Sequence, residues 1–173
     1  MASYPIDVVQ SVFVTGLKNA HGVEHQALAL IDRQLDHLEN YPQVADRLRL
    51  HRSETEQQIE RLEEILATFG ETHSTLKDIG LSISGNLAAI AHVFAPDEIL
   101  KNTFANFAFE NFEAASYKSL ITLADAGSFG KATPLLTTSL NEELSMANWV
   151  DEHNAELTLA YVQRRAAGDT ASH

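Results

Sequence analysis

Along most of this chain, apolar residues recur three and four positions apart, and that period admits one kind of backbone. From Val14 the series runs Leu17, His21, Glu24, Leu28, Ile31, Leu35 and Leu38. Towards the other end it runs Leu136, Leu140, Glu143, Ala147, Val150, Asn154, Leu157 and Tyr161. Such positions form one stripe along an α-helix but scatter over both faces of a strand. Each stripe must be buried against another helix, which favours side-by-side packing at shallow crossing angles. Proline punctuates the pattern: Pro5, Pro42, Pro96 and Pro134 each stand near the start of a long proline-free stretch. A missing N–H does no harm there, because the first helical amides have no intrahelical acceptor. Gly70 follows one stretch, and Gly127 and Gly130 follow another. No alternating run bounded by Asn-Gly or Asp-Gly offers a start for a sheet.

The spacing predicts helices over about 7–39, 42–69, 97–126 and 132–163, a weaker helical piece near 74–94, and a frayed tail over 164–173. The links around Glu39–Pro42 and Gly127–Lys131 are short, which makes the helices they join antiparallel neighbours. The stretch from Gly70 to Pro96 is long enough to travel back along the bundle, so the third helix can run parallel to the second. Two antiparallel hairpins joined by a long, partly helical crossover make an all-α, ferritin-like four-helix bundle, here one domain over 1–173. The crossover carries Gly80 and Gly85 within the apolar run Ile79–Val93, so it is expected to pack as a broken helix. No fifth short helix is evident after the fourth, which argues against a cage-forming ferritin.

Composition removes several functions. There is no cysteine, so zinc fingers, iron–sulfur clusters and thiolate nucleophiles are excluded. The net charge of −12 repels phosphate backbones and anionic lipid, and no basic stripe offsets it. Neither nucleic acid nor membrane is therefore an expected partner. No window is apolar enough to cross a bilayer and no signal peptide is visible at Met1–Asp7, so a cytoplasmic location is expected.

Some acidic residues fall where solubility gives no reason for them. His21 and Glu24 interrupt the first stripe and Glu143 the last. The third helix carries Leu100, Phe107, Glu110, Ala114, Tyr117 and Ile121, with Glu113 one turn from Glu110. The second carries Val44, Leu48, His51, Thr55, Ile59 and Leu62, with Glu54 between His51 and Gln58 at the edge. Every long helix thus puts a carboxylate into its apolar face near mid-length. An isolated ionised carboxylate there must protonate or find a cation. Glu24 and Glu54 are 30 positions apart, and so are Glu113 and Glu143. Equal spacing in two hairpins is what a pseudo-twofold site at the bundle centre requires, and carboxylates from facing helices can bridge two iron or manganese ions. The Glu-x-x-His of many such sites is missing, since Gln57 follows Glu54 and Met146 follows Glu143 at that offset. His51 and His21, each three residues before its glutamate, are the alternatives, as first ligand or as outer support. Glu142 is the fallback for Glu143, and Tyr117 is either core or an outer hydrogen-bond donor. Salt bridges are a competing use for the acids, but only Arg47 and Arg61 flank the Glu54 row. The remaining histidines, including His25 and His153, share no spacing and are read as surface or core residues.

The strings Val23-Glu24-His25-Gln26, His51-Arg52-Ser53-Glu54-Thr55 with Gln58-Ile59-Glu60-Arg61-Leu62, Glu110-Asn111-Phe112-Glu113 with Tyr117, and Leu135-Leu136 followed by Glu142-Glu143 resemble the YciE/YciF family. These are bacterial ferritin-like proteins associated with stress responses, and the likeness spans roughly residues 8–163. It implies a rubrerythrin-like bundle, a homodimer and a bound metal pair, iron foremost. The chain departs from the family at Asn111 and Phe112, where His-Tyr is common. It departs again at Ser82-Ile83-Ser84-Gly85, where acidic residues usually follow the Gly-Leu. The second departure weakens any ligand from the crossover.

The leading expectation is a dinuclear iron, or mixed iron–manganese, carboxylate protein acting on oxygen or peroxide. Glu24 is then terminal on one metal, Glu110 or Glu113 on the other side, Glu54 and Glu143 bridging, His51 the nitrogen ligand, and His21, Gln58 and Tyr117 in outer support. The alternative is a structural or interaction bundle whose metal only ties helices together, or is absent. Its signal is the phenylalanine-rich stretch Phe104, Phe107, Phe109 and Phe112, which cannot all face one core and so suggests a dimer surface. A histidine phosphotransfer role is discounted, because His51 sits among apolar positions.

Overall fold

Proline marks two helix starts. In the computed structural model, which describes residues 4–71 and 99–171, α1 spans Ile6–Leu35 with Pro5 at its N-cap. Helix α2 spans Pro42–Thr68, with the proline in its first turn. Helices α3 (Ile99–Ala126) and α4 (Ala132–Ala167) follow, and no strand occurs among the described residues. The expected crossover helix near 74–94 lies outside the described residues. Gly70 and Gly168 close α2 and α4 with φ near 80°. That left-handed turn lets the next amides reach back to Leu66 and Arg164 carbonyls, and it strains any residue with a Cβ.

Two ends differ from the periodicity. Helix α1 stops at Leu35 rather than near 39, because the chain turns so that Leu38 and Tyr41 plug the bundle end, both buried. Helix α4 continues to Ala167, and residues 168–171 after it, expected to fray, are tied down. Tyr41 donates its hydroxyl proton to the Ala171 carbonyl at 2.7 Å, and Arg164 donates to Asn40 at 2.6 Å and to the Thr170 carbonyl at 2.7 Å. A short polar tail looks loose in sequence because its receptors lie on another loop.

Topology follows from which residues meet. Helix α1 packs on α2 and α3, and α4 packs on α3 and α2. Gln34 meets Asn106 and Glu24 meets Tyr117, so α1 and α3 run antiparallel. Gln43 meets Glu156, Gln58 meets Glu143 and Arg61 meets Ser139, so α2 and α4 run antiparallel too. With α1 and α2 antiparallel across their short turn, α2 and α3 lie parallel across the diagonal. This is the ferritin-like arrangement. Gly16 permits the close approach of α1 to α3, since a Cβ there would lie 2.9 Å from Leu120 Cδ2.

The core is not continuous. One apolar cluster gathers Phe13, Leu17, Leu62, Leu66, Leu120 and Leu136 at one end of the bundle. A second gathers Ile31, Tyr41, Leu48, Ile99, Val150 and Leu157 at the other. Phe107, expected in the α3 stripe, is 40% exposed, and the inward position is taken by Phe109. The stripe drifts because α3 turns its apolar side partly outward.

At the far end, Gln34 and Asn106 form a buried reciprocal pair, each amide donating to the other's oxygen at 2.9 and 3.0 Å. Gln34→Leu alone should destabilise the protein by about 1–3 kcal/mol, because Asn106 is left buried and unpaired. The double variant with Asn106→Leu should recover much of that loss in a urea-unfolding double-mutant cycle. Strictly additive losses would show that the amides do not act as a pair.

Candidate metal centre

Between the two apolar clusters lies a polar layer fed by all four helices. Helix α1 supplies Glu24; α2 supplies His51, Thr55 and Gln58; α3 supplies Glu110 and Glu113; α4 supplies Glu143. None of these side chains belongs to a residue more than 5% exposed. The helical period delivers them: each continues a stripe that is apolar above and below, so packing that stripe carries the acid inward.

His51 is the hub. Its Nε2 lies 2.9 Å from Glu110 Oε2 and 3.9 Å from Glu143 Oε2, and its Nδ1 lies 3.0 Å from Glu54 Oε2. One ligand atom each from His51, Glu110 and Glu143 falls within 4.8 Å of the others. Around this triad, Tyr117 donates to Glu24 Oε1 at 2.5 Å. Gln58 donates to Glu143 Oε1 at 2.5 Å and to Glu142 Oε2 at 3.1 Å. Thr55 returns its hydroxyl to the His51 carbonyl at 3.0 Å.

The electrostatics are those of too many acids for the available cations. Burial pushes Glu24 up to about 8, against an ordinary 4.5. Burial and the neighbouring carboxylates hold Glu113 and Glu143 well above the usual range. Burial alone would lower His51, but Glu110, Glu54 and Glu143 outweigh it and favour the imidazolium. Several oxygens still lack a hydrogen-bond donor: Glu24 Oε2, both of Glu113, Glu143 Oε2 and Gln58 Oε1. Buried acceptors are normally satisfied, and a group of orphaned carboxylate oxygens around an imidazole fits a hard or borderline cation.

The structure brings Glu24, His51, Glu110, Glu113 and Glu143 into one layer, with Gln58 and Tyr117 against it. Glu54 stands at the rim, about one-fifth exposed, held by Arg47 at 3.1 Å as well as by His51. These partners outweigh its partial burial and lower its pKa. Glu142 is not a free surface acid, since Arg61 grips both its oxygens at 2.7 and 2.9 Å. His21 points to Glu63 of α2, at 3.1 Å, rather than into the layer. Thr55, fully buried, was hidden in the sequence because threonine on a stripe reads as ordinary packing. Glu63 was hidden because it lies outside every stripe.

These features define a ferritin-like helical bundle with a buried histidine–carboxylate cluster at mid-length. Comparison with known proteins agrees. The chain belongs to the family described as "Domain of unknown function (DUF892)", whose pattern matches residues 8–163, in keeping with its resemblance to YciE/YciF proteins. Among solved structures, a protein from Xanthomonas campestris pv. campestris is 22% identical with a TM-score of 0.74, over 91% of this chain and 99% of the other. The E. coli stress protein YciF is 22% identical with a TM-score of 0.71, over 86% and 97%. YcfI from Rhodopseudomonas palustris is 21% identical with a TM-score of 0.66, over 87% and 98%. At these identities the likeness speaks for the fold. No helix among the described residues is long and apolar enough to cross a membrane.

The raised pKa of Glu24 links stability to pH. Between 4.5 and about 8 the folded chain holds a proton that the unfolded chain has released. Its contribution is therefore full below 4.5 and lost as pH rises through about 8. Glu113, Glu143 and His51 act in the same sense, whereas Glu54 acts only at lower pH. The urea midpoint of chelator-treated protein should fall between about pH 5 and about pH 8, and Glu24→Gln should flatten that slope. A midpoint that climbs over this range would contradict the assignment.

Proposed function

We propose that this protein binds a pair of iron ions, with manganese as the alternative, in the mid-bundle carboxylate layer and serves in a stress response. The observation that carries this reading is the buried triad of His51, Glu110 and Glu143, with oxygens of Glu24, Glu113 and Glu143 that receive no hydrogen bond. In this reading His51, Glu110 and Glu143 would hold one ion, and Glu24 and Glu113 would serve the second. Glu54 remains at the rim and fixes the His51 ring through Nδ1, leaving Nε2 to face inward. Tyr117 and Gln58 orient Glu24 and Glu143 through their hydrogen bonds. Bound iron supplies one-electron cycling between ferrous and ferric states, the chemistry needed to oxidise Fe(II) or reduce oxygen or peroxide. A layer of buried carboxylates suits the ferric state, and its closure by two apolar clusters limits access of water.

A second reading, a bundle that is structural or an interaction module, is favoured by one observation. His51 already meets both Glu54 and Glu110 at ion-pair distance, so part of the buried charge is compensated without any ion. Elemental analysis separates the two. Untagged protein from iron-replete cells should carry about two iron or manganese per chain, lost in Glu24→Ala and Glu143→Ala. Tyr117→Phe should keep the fold but weaken metal binding by roughly 10–100-fold. Metal-free wild type, with variants equally stable, would leave the structural reading in place. Measured peroxide consumption that follows metal content across these variants would make the protein an enzyme.

The same reading pairs the chain with a second copy. Phe104, Phe107 and Phe112 stand 54%, 40% and 47% exposed on α3. From Lys101 to Thr122 the acids of that helix, Glu110 and Glu113, are both buried. On a chain of net charge −12, this aromatic stretch, to which α3 adds no exposed acid, is where two copies can meet with less repulsion. Phe104→Glu with Phe112→Glu should convert a sedimenting dimer to monomer; an unchanged sedimentation coefficient would exclude this face.

A further inference from the structure

The turn of α1 that carries Glu24 also carries two histidines that stay outside the buried layer. His21 is 6% exposed, and its Nε2 lies 3.1 Å from Oε1 of Glu63 on α2. His25, one turn later, sets its ring edge-on to that of His21 with centroids 4.6 Å apart. The Glu63 side chain is 27% exposed and His25 lies on the surface, so the group opens to solvent. Glu24 leaves the helix between the two histidines but projects into the core, where Tyr117 holds it.

Two imidazoles at i and i+4 share one helix face, and a carboxylate from the facing helix adds a third donor, although the three donor atoms do not converge within 4.8 Å in the rotamers present. Two nitrogens and one oxygen form a borderline ligand set, suited to zinc, cobalt, iron or manganese and poor for magnesium or calcium. Packing does not account for it. The His21–Glu63 contact satisfies one nitrogen of one ring, and nothing in that contact requires a second histidine one turn away. His25 is exposed, so turning its ring to share an ion with Glu63 involves only a change of rotamer.

We propose that His21, His25 and Glu63 form a mononuclear site for a divalent transition cation on the α1/α2 surface, separate from the buried layer. Its ligands come from α1 and α2 alone, whereas the buried layer draws on all four helices. The site therefore stands or falls independently of the dinuclear reading.

Zinc titration by calorimetry, with cobalt absorption as the second probe, tests this on the untagged full chain. Of the zinc that wild type binds, one equivalent should be removed or weakened at least tenfold by His25→Ala, with a smaller loss in Glu63→Gln. The cobalt complex should show ligand-field bands that vanish in the same variants. Glu110→Gln with Glu143→Gln, which disables the buried layer, should retain this equivalent. If that double variant does not fold, the comparison of wild type with His25→Ala decides, since an exposed side chain can be removed without disturbing the core. Unchanged zinc stoichiometry and affinity in His25→Ala would overturn the proposal. So would loss of the equivalent in a folded Glu110→Gln, Glu143→Gln protein. If wild type binds a single zinc, lost only with His25, the surface site holds and the dinuclear reading fails.

Discussion

Everything in this bundle is arranged around the desolvation of four carboxylates. Glu24, Glu110, Glu113 and Glu143 are withdrawn from water on three different helices, while α2 answers with one imidazole. Buried negative charge at this density cannot persist alone, because each ion gives up hydration worth several kcal/mol. Protons, the His51 imidazolium or bound cations must supply the compensation. The two apolar clusters above and below make the layer dry, and so make that compensation compulsory.

The same constraint explains the polar residues at the margin. Arg47 and Arg61 do not enter the layer; they attach to Glu54 and Glu142 at its edge. Guanidinium charge is thus held back from the centre, and the buried acids keep oxygens without donors. A salt-bridged core would have drawn the guanidinium groups inward. Here they close the rim.

The helical architecture was legible because amphipathic stripes and proline positions are local signals. The buried acids were legible for the same reason: Glu24 and Glu143 interrupt stripes that are otherwise apolar. Periodicity fixes a side chain's sector only to within tens of degrees, and the finer distinctions depend on how each helix is rotated in the bundle. Glu54 and Glu143 had looked equivalent from their matched spacing. Yet α2 is turned so that His51 and Gln58 point inward and Glu54 stays at the rim. His21 likewise falls on the inward side of α1, but it meets Glu63, whose position off the stripe gave no warning. The docked tail was illegible because its partners, Asn40 and Tyr41, lie more than a hundred residues away in sequence.

The amide pair of Gln34 and Asn106 has a consequence well beyond its own surroundings. It lies about 15 Å along α1 from Glu24, at the rise of a helix. Apolar surfaces slide over one another with little preference for a particular register. Two reciprocal hydrogen bonds do not, and slippage by one helical turn, about 5.4 Å, would break both. The pair therefore acts as an alignment pin, holding α1 against α3 so that Glu24 arrives opposite Tyr117. Ligand geometry in one half of the bundle is set by a mechanical fit in the other.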